Sequence, residues 1–256
     1  MISVVIPAYN EEERIENSVL ELYSYLDNNF NDFEIIVVTN GCRDRTPEIV
    51  KNLIDEYPNI YHLNFKNEIG KGGAIIEGFK VARGDIVGFL DADGATHIKS
   101  VDTLLNFLIN NGIDGVIASR WLPDAKRIGY DSKLRVIASR SFNILVKILF
   151  QLNFKDTQCG AKFFKKHVIK KVLPELGLTD WAFDVDLLYR MKKYGFKIVE
   201  VPVIWEHKDG SKFDLKRMSV KMLFSIIGLR IKTLPYLSWF GKSKYAGWLY
   251  QQLKKL

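Results

Sequence analysis

Long uncharged runs are scarce in this chain: near the C-terminus no stretch without Asp, Glu, Lys or Arg approaches 18 residues, so no bilayer-spanning helix is expected there. Cysteine is almost absent. Cys42 and Cys159 lie far apart and match no metal-ligand spacing, which fits a reducing compartment. No basic segment or cleavage site precedes MISVVIPAYN, so no secretory signal is expected. Helix-turn-helix patterns, RNA-binding aromatic motifs and zinc spacings are missing, and no nucleic-acid partner is expected. The four histidines, His62, His97, His167 and His207, form no ligand pattern and read as ordinary surface residues. Neither an internal repeat nor a low-complexity linker is evident.

What is present is ordinary for a globular protein: 47% apolar and 26% charged residues over 256 positions. That length allows one sizeable α/β domain, alone or with an appendage. The net charge of +7 conceals an asymmetry. Residues 1–129 carry 12 Lys and Arg against 20 Asp and Glu, a net −8, whereas residues 130–256 carry 25 against 10, a net +15. A basic second half suits an anionic partner, either a phosphorylated ligand or a membrane surface.

Over the first 120 residues the hydrophobic period alternates. Strands are expected at Ser3–Ile6, Glu34–Val38, Tyr61–Phe65, Asp85–Leu90 and Gly115–Ala118, and helices at Glu11–Leu26, Thr46–Tyr57, Gly72–Ala82 and Lys99–Asn110. Such alternation argues for a mostly parallel sheet covered on both faces, with ligands beyond the carboxyl ends of the strands. Pro7–Glu11, Thr39–Asp44 and Asp91–Asp93 then share one edge. The second half breaks this rhythm with two basic amphipathic patterns, 132–152 and 219–232. Each reads either as core cover or as a helix in the membrane interface, with Trp239, Trp248, Tyr236 and Tyr245 at headgroup depth.

Asp91-Ala92-Asp93 is the densest chemical signal, because it ends the buried strand Ile86–Leu90. Two carboxylates at a strand end can hold a hard divalent cation whose other positions go to water and phosphate oxygens. Lys71 stands among three glycines in NEIGKGGAIIEG, where backbone can approach a ligand closely; the Walker spacing is absent. Ser119-Arg120 follows the fifth strand, and Arg135 and Ser139 share a helix face at i,i+4, a set suited to a phosphate monoester. Asp184 and Asp186 sit about 200° apart on a helix, so one of them faces any given site.

Taken together, these residues resemble family 2 glycosyltransferases over nearly the whole chain. SVVIPAYNEE, GKGGA and DAD are similar to that family's nucleotide-sugar domain. DADGAT at 91–96, DTQCGAKFF at 156–164, WAFDVDLLY at 181–189 and the W-E-x-x-x-G-S-K pattern at 205–212 look most like its dolichyl-phosphate β-glucosyltransferases. The resemblance implies an α/β GT-A fold and an inverting transfer of glucose from UDP-glucose to dolichyl or another polyprenyl phosphate. It implies Mg²⁺ or Mn²⁺ at Asp91 and Asp93, a nucleotide-diphosphate sugar lined by Pro7, Tyr9, Glu11, Asn40, Lys71, Ala92, Trp181 and Lys212, and an acceptor phosphate on Arg120, Arg135 and Ser139. Asp156 and Asp184 become candidates for contacting the sugar or steering the acceptor.

Two positions depart from relatives. Thr39-Asn40-Gly41-Cys42 replaces a common D-D-G-S, removing an acid that meets base or ribose. Ala95 stands where mannose synthases often carry a metal-binding glutamine, in agreement with the glucosyl branch. Transfer of mannose from GDP-mannose is the alternative within the class, and a membrane-bound nucleotide-sugar sensor the non-catalytic one. DADGAT is also similar to the D-x-D-G-T of haloacid dehalogenase-type phosphatases, where the motif normally ends the first strand. The expected organisation is a GT-A domain over 1–215, with a nucleotide-sugar half (1–120) and an acceptor half (121–215). A basic membrane-associated segment over 216–256 follows, giving a cytoplasmic protein held peripherally on the cytoplasmic face of a membrane.

Overall fold

The computed structural model describes residues 1–129, 133–177, 182–208 and 215–233. In the first half, strands β1 (Ile2–Ala8), β2 (Phe33–Asn40), β3 (Ile60–Phe65), β4 (Ile86–Leu90) and β5 (Gly115–Ser119) alternate with helices α1 (Ile15–Asn29), α2 (Thr46–Glu56), α3 (Gly70–Val81) and α4 (Ile98–Asn110). Then come β6 (Lys126–Ile128), α5 (Lys133–Phe150), β7 (Ala161–Lys165), α6 (Lys166–Val172), α7 (Phe183–Lys193), β8 (Ile198–Pro202), β9 (Ile204–Glu206) and α8 (Leu215–Thr233). Seven strands form one sheet in the order β3-β2-β1-β4-β7-β5-β8, and β6 pairs with β9 beside it. Every pairing in the large sheet is parallel except those of β7 with β4 and β5. Because β7 and β8 complete the sheet begun by β1–β5, the two halves of the sequence share a single core.

The period of two along each strand divides that core. Val4, Ile6, Ile35 and Val37 pack under Val19, Leu22 and Leu26 of α1, Val50 of α2 and Leu104 and Leu108 of α4. Val5, Ile36, Val38 and Phe89 face Ile75 and Phe79 of α3, Val168 of α6 and Leu188 of α7 on the other side. A strand covered on both faces is apolar at successive positions, and β1 and β2 are buried throughout. At Gly88 a side chain would run into the Phe163 ring of β7, so the small residue lets β7 lie alongside β4.

The first helix begins at Ile15, four residues later than its pattern suggests. The Glu11 amide donates to Thr46 Oγ1 (2.8 Å) and the Glu12 amide to Asp44 Oδ2 (3.1 Å), so both are used to tie the loop to the start of α2. Two histidines also depart from a plain surface role. His62 is half-buried against Thr39 Oγ1 (2.8 Å), and His97 caps α4 by accepting from the Lys99 amide. Helix α8 packs along α5 and buries Ile226 and Leu229. Trp239, Trp248, Tyr236 and Tyr245 lie outside the described residues. Among the described residues no helix is long and apolar enough to cross a membrane.

Candidate active site

Strands β1, β2, β4 and β5 all end on one edge of the sheet, and β7, running the other way, begins there. Pro7–Glu11, Thr39–Asp44, Asp91–Asp93, Ser119–Arg120 and Asp156–Gly160 are therefore brought to the same rim. The strand order reverses about β1, between β2 and β4, which makes the crevice above β1 and β4 the place for a ligand.

Asp91 leaves β4 with its amide bonded to the Gly160 carbonyl (2.9 Å) and its carboxylate against Gly160, where a methyl group would overlap it. Its Oδ1 meets Lys71 Nζ at 2.5 Å. Burial pushes the Asp91 carboxyl up; Lys71 pulls it down, and Asp93 and Asp184 push it up again. Burial works against the Lys71 charge, yet Asp91, Asp184 and Asp93 raise its pKa above the usual lysine value. Asp93 Oδ1 accepts from the Ala95 amide (2.9 Å), closing a tight turn that buries Ala92 and Ala95. Strand β9 holds this turn from outside: Thr96 bridges Trp205, and the Glu206 amide donates to Ala95 O. Among the described residues Asp91 Oδ2 and Asp93 Oδ2 accept no hydrogen bond, and Asp91 Oδ2 is the oxygen that lies against Gly160.

Pro7 is buried at the end of β1, and Tyr9 is exposed just beyond it. Glu11 is clamped by Arg14, and burial raises its carboxyl pKa, helped by the charges of Asp93 and Asp91. Asn40 is buried, with Nδ2 donating to Ala8 O (3.1 Å) and Oδ1 without a partner among the described residues. A buried acceptor with nothing to accept is costly, and a ligand N–H would satisfy it. Thr39, in the place of the common first acid, instead bonds His62 and Asn64 on β3.

Across the crevice, α7 supplies the two acids of its first turn in opposite directions. Asp184 points to the site and pairs with Lys162 Nζ of β7 at 2.6 Å, both groups being buried. Asp186 turns away to Arg190 (2.7 Å). Leaving either partner of the Lys162–Asp184 pair alone would strand a buried charge, at a cost of about 3–5 kcal/mol.

Asp156 is fully engaged by Arg120: Nε donates to Oδ2 (2.7 Å), Nη2 to Oδ1 (2.9 Å), and the Arg120 amide to Oδ2 (3.0 Å). Although burial raises the Asp156 carboxyl, Arg120 outweighs it and holds the pKa below the usual value. The Asp156 amide is taken in turn by Glu200 of β8, and the Arg120 guanidinium lies over Trp205. Arg135 and Ser139 occupy the half-buried face of α5, the one continued by Asn143, Val146 and Phe150. Asn143 bonds the Phe154 and Lys155 carbonyls and the Thr157 hydroxyl, so this face of α5 is fixed to the segment bearing Asp156.

The family model described as glycosyl transferase family 2 matches residues 3–173. The chain is a family 2 glycosyltransferase. This transferase is 35% identical over 218 residues to glycosyltransferase AglD of Haloferax volcanii, covering 84% of the present chain and only 35% of AglD. It is 35% identical over 244 residues to the dolichyl-phosphate beta-glucosyltransferase of Dictyostelium discoideum, covering 91% of this chain and 75% of the relative. Among solved structures, glucosyl-3-phosphoglycerate synthase from Mycobacterium tuberculosis in complex with Mn²⁺, UDP-glucose and phosphoglyceric acid superposes with a TM-score of 0.66 at 20% identity. That match covers 90% of this chain and 79% of the synthase, and shows that the fold is GT-A.

The transferase gathers most of the residues singled out in its sequence. Trp181 and Lys212 lie outside the described residues. Lys162, Gly160 and Glu200 belong to the site's framework; the first two lie within the DTQCGAKFF motif, and none of the three is assigned a role from the sequence. A lysine in the otherwise apolar run Ala161–Phe164 is the signal that could have exposed the first of them. Cys159 is no nucleophile, since burial pushes its thiol up to about 12. Among the described residues no three His, Cys, Asp or Glu side chains form a complete metal site. The carboxylates of Asp91 and Asp93 are hard donors, and two such donors fit a cation that completes its shell with water and diphosphate oxygens.

Proposed function

We propose that this transferase moves glucose from UDP-glucose to dolichyl or another polyprenyl phosphate with inversion at the anomeric carbon. The carrying observation is the placing, on one rim of the sheet, of the Asp91–Asp93 pair at the end of β4 and an Arg120 guanidinium held by Asp156 at the end of β5. The name of the Dictyostelium relative favours this acceptor and sugar, and the UDP-glucose and Mn²⁺ complex of the structural neighbour favours this donor. In one displacement an acceptor phosphate oxygen bonds to the anomeric carbon as the bond to UDP breaks, and UDP leaves with the electron pair.

Asp91 and Asp93 would hold Mg²⁺ or Mn²⁺, which when bound offsets the charge that develops on the departing diphosphate. Lys71 stands beside them to meet the phosphates. Pro7, Tyr9, Glu11 and Asn40 line the nucleoside, with the orphan Asn40 Oδ1 accepting a base N–H. Trp181 and Lys212 are assigned to the sugar and diphosphate through their motifs alone. Arg120, Arg135 and Ser139 take the acceptor phosphate, and Asp184 faces the sugar. Asp156 acts through Arg120, because both its oxygens are already bonded. The acceptor phosphate is ionised at neutral pH, so orientation does more than base catalysis.

Such a lipid presents its phosphate at a bilayer surface, and the chain is suited to peripheral attachment there. Leu134, Ile137, Ile144 and Ile148 form an exposed stripe on α5, and Leu223, Phe224, Ile227 and Ile231 another on the neighbouring α8. The basic second half would face the same leaflet.

The direct test is transfer of radiolabel from UDP-glucose into organic-extractable lipid in the presence of dolichyl phosphate. Labelled lipid is expected with Mn²⁺ or Mg²⁺, lost on adding EDTA, and lost in Asp93→Ala with an unchanged melting temperature. No turnover with any UDP sugar, or turnover only with GDP-mannose, would refute the donor assignment.

A further inference from the structure

We propose that Lys162 is a positioning residue of the transfer, holding the Asp184 carboxylate and the Cys159–Gly160 turn, against which Asp91 rests, in one fixed arrangement. The inference builds on the transfer proposed above and concerns a residue to which that reaction gives no role of its own.

Lys162 lies in β7, the strand wedged between β4 and β5, and its side chain is wholly buried. Lysine is among the residues least often buried completely, and a buried ion pair replaced as a whole by well-packed apolar side chains is often no less stable. A buried ammonium therefore asks for a purpose beyond filling space. Its contacts supply one. Nζ donates to Asp184 Oδ1 at 2.6 Å and to Cys159 O at 2.7 Å, and lies 5.1 Å from the centre of the Phe89 ring. Lys71 Nζ lies 5.8 Å from the same ring centre and pairs with Asp91. One aromatic ring thus stands beside two lysine–aspartate pairs, one from each side of the crevice.

The two hydrogen bonds of Lys162 go to different elements. The first fixes α7 through Asp184. The second fixes the residue before Gly160, and Gly160 both accepts the Asp91 amide hydrogen and supplies the bare surface on which the Asp91 carboxylate lies. Removing the ammonium would release both together: Asp184 would lose its counter-charge, and the turn beneath Asp91 would lose its anchor. A side chain that merely filled the core would not link the two acids.

The test compares Lys162→Met, Asp184→Asn and the double variant, with two readouts. In the ligand-free protein, hydrogen exchange at the Asp91 amide is expected to quicken at least tenfold in Lys162→Met while amides of β1 and β2 keep their protection. In the transfer assay, kcat of Lys162→Met is expected to fall about 100-fold with the donor KM within about threefold, as for a small misplacement of reacting groups. The double variant should turn over no more slowly than Asp184→Asn, because residues acting as a unit do not lose activity additively. It also buries no uncompensated charge, so it should fold even where Lys162→Met does not. Unchanged exchange at Asp91, exchange that quickens equally across the whole sheet, or losses that multiply in the double variant would each overturn the assignment. A wild-type chain that transfers no sugar sinks the functional reading instead, and the exchange experiment still decides the role of Lys162.

Discussion

At the scale of single residues, the site turns on a contact that costs the fold little and the chemistry a great deal. Asp91 is held at its amide by Gly160 O and at Oδ1 by Lys71, and its carboxylate lies where a Gly160 methyl would be. The obstructed group is the far end of a side chain rather than backbone, so an alanine there can be accommodated by rotating Asp91. Rotation carries the carboxylate away from Asp93 and Lys71. Gly160→Ala is accordingly expected to melt within a few degrees of wild type while transfer falls at least tenfold and the Mn²⁺ concentration for half-maximal activity rises. A variant with wild-type Mn²⁺ dependence would show that Asp91 needs no such surface. The D-x-D pair was legible in the sequence because its acids follow a buried strand directly. Gly160 and Lys162 were not, because what they touch is decided by the insertion of β7, and a glycine or lysine carries no mark of its distant neighbour.

Among elements, legibility divides at residue 120. The parallel half announces itself through alternating periods, and the strand ends fall within a few residues of expectation. Beyond it, β7 is five residues long with a lysine inside, and β6 and β9 have three residues each. Runs so short have too few positions to establish a period of two, and the direction of β7 is a tertiary choice. Asp156 illustrates the same limit: its motif suggested contact with the sugar or steering of the acceptor, and only the fold shows that its carboxylate is bonded by Arg120. Besides its core contacts through Val146 and Phe150, α5 is tied to the segment bearing Asp156 by one polar side chain. Asn143, one turn past Ser139, bonds Phe154 O at 2.9 Å, Lys155 O at 2.8 Å and Thr157 Oγ1 at 3.2 Å. Asn143→Ala removes all three and should cost about 1–3 kcal/mol of stability. If that anchor aligns Arg135 and Ser139 with Arg120, the acceptor KM should rise several-fold with the donor KM unchanged. Equal changes in both constants would mean that α5 does not belong to the acceptor side.

On the scale of the whole molecule, charge and apolar surface are distributed together. The acidic first half carries the Asp91–Asp93 pair, while the +15 half carries both helices whose outer faces are apolar. Lys133, Arg140 and Lys147 of α5 and Lys221 and Lys232 of α8 are exposed along with those faces. Each basic residue near an anionic leaflet adds about 1 kcal/mol, so this set would produce reversible attachment that weakens with salt. The chain should therefore float with vesicles containing phosphatidylglycerol, float poorly with pure phosphatidylcholine, and be released by high salt. Ile137 and Ile148 stand on the exposed stripe of α5, away from the half-buried face that bears Arg135 and Ser139, at 60% and 69% exposure. Ile137→Asp with Ile148→Asp adds negative charge to the leaflet-facing side without touching the crevice. The double variant is expected to lose flotation and to turn over a long-chain polyprenyl phosphate in vesicles at least tenfold more slowly, while keeping its rate on a short, water-soluble prenyl phosphate. Undiminished flotation would show that the two stripes do not meet the membrane. Equal loss on both acceptors would place the damage in the active site rather than at the bilayer.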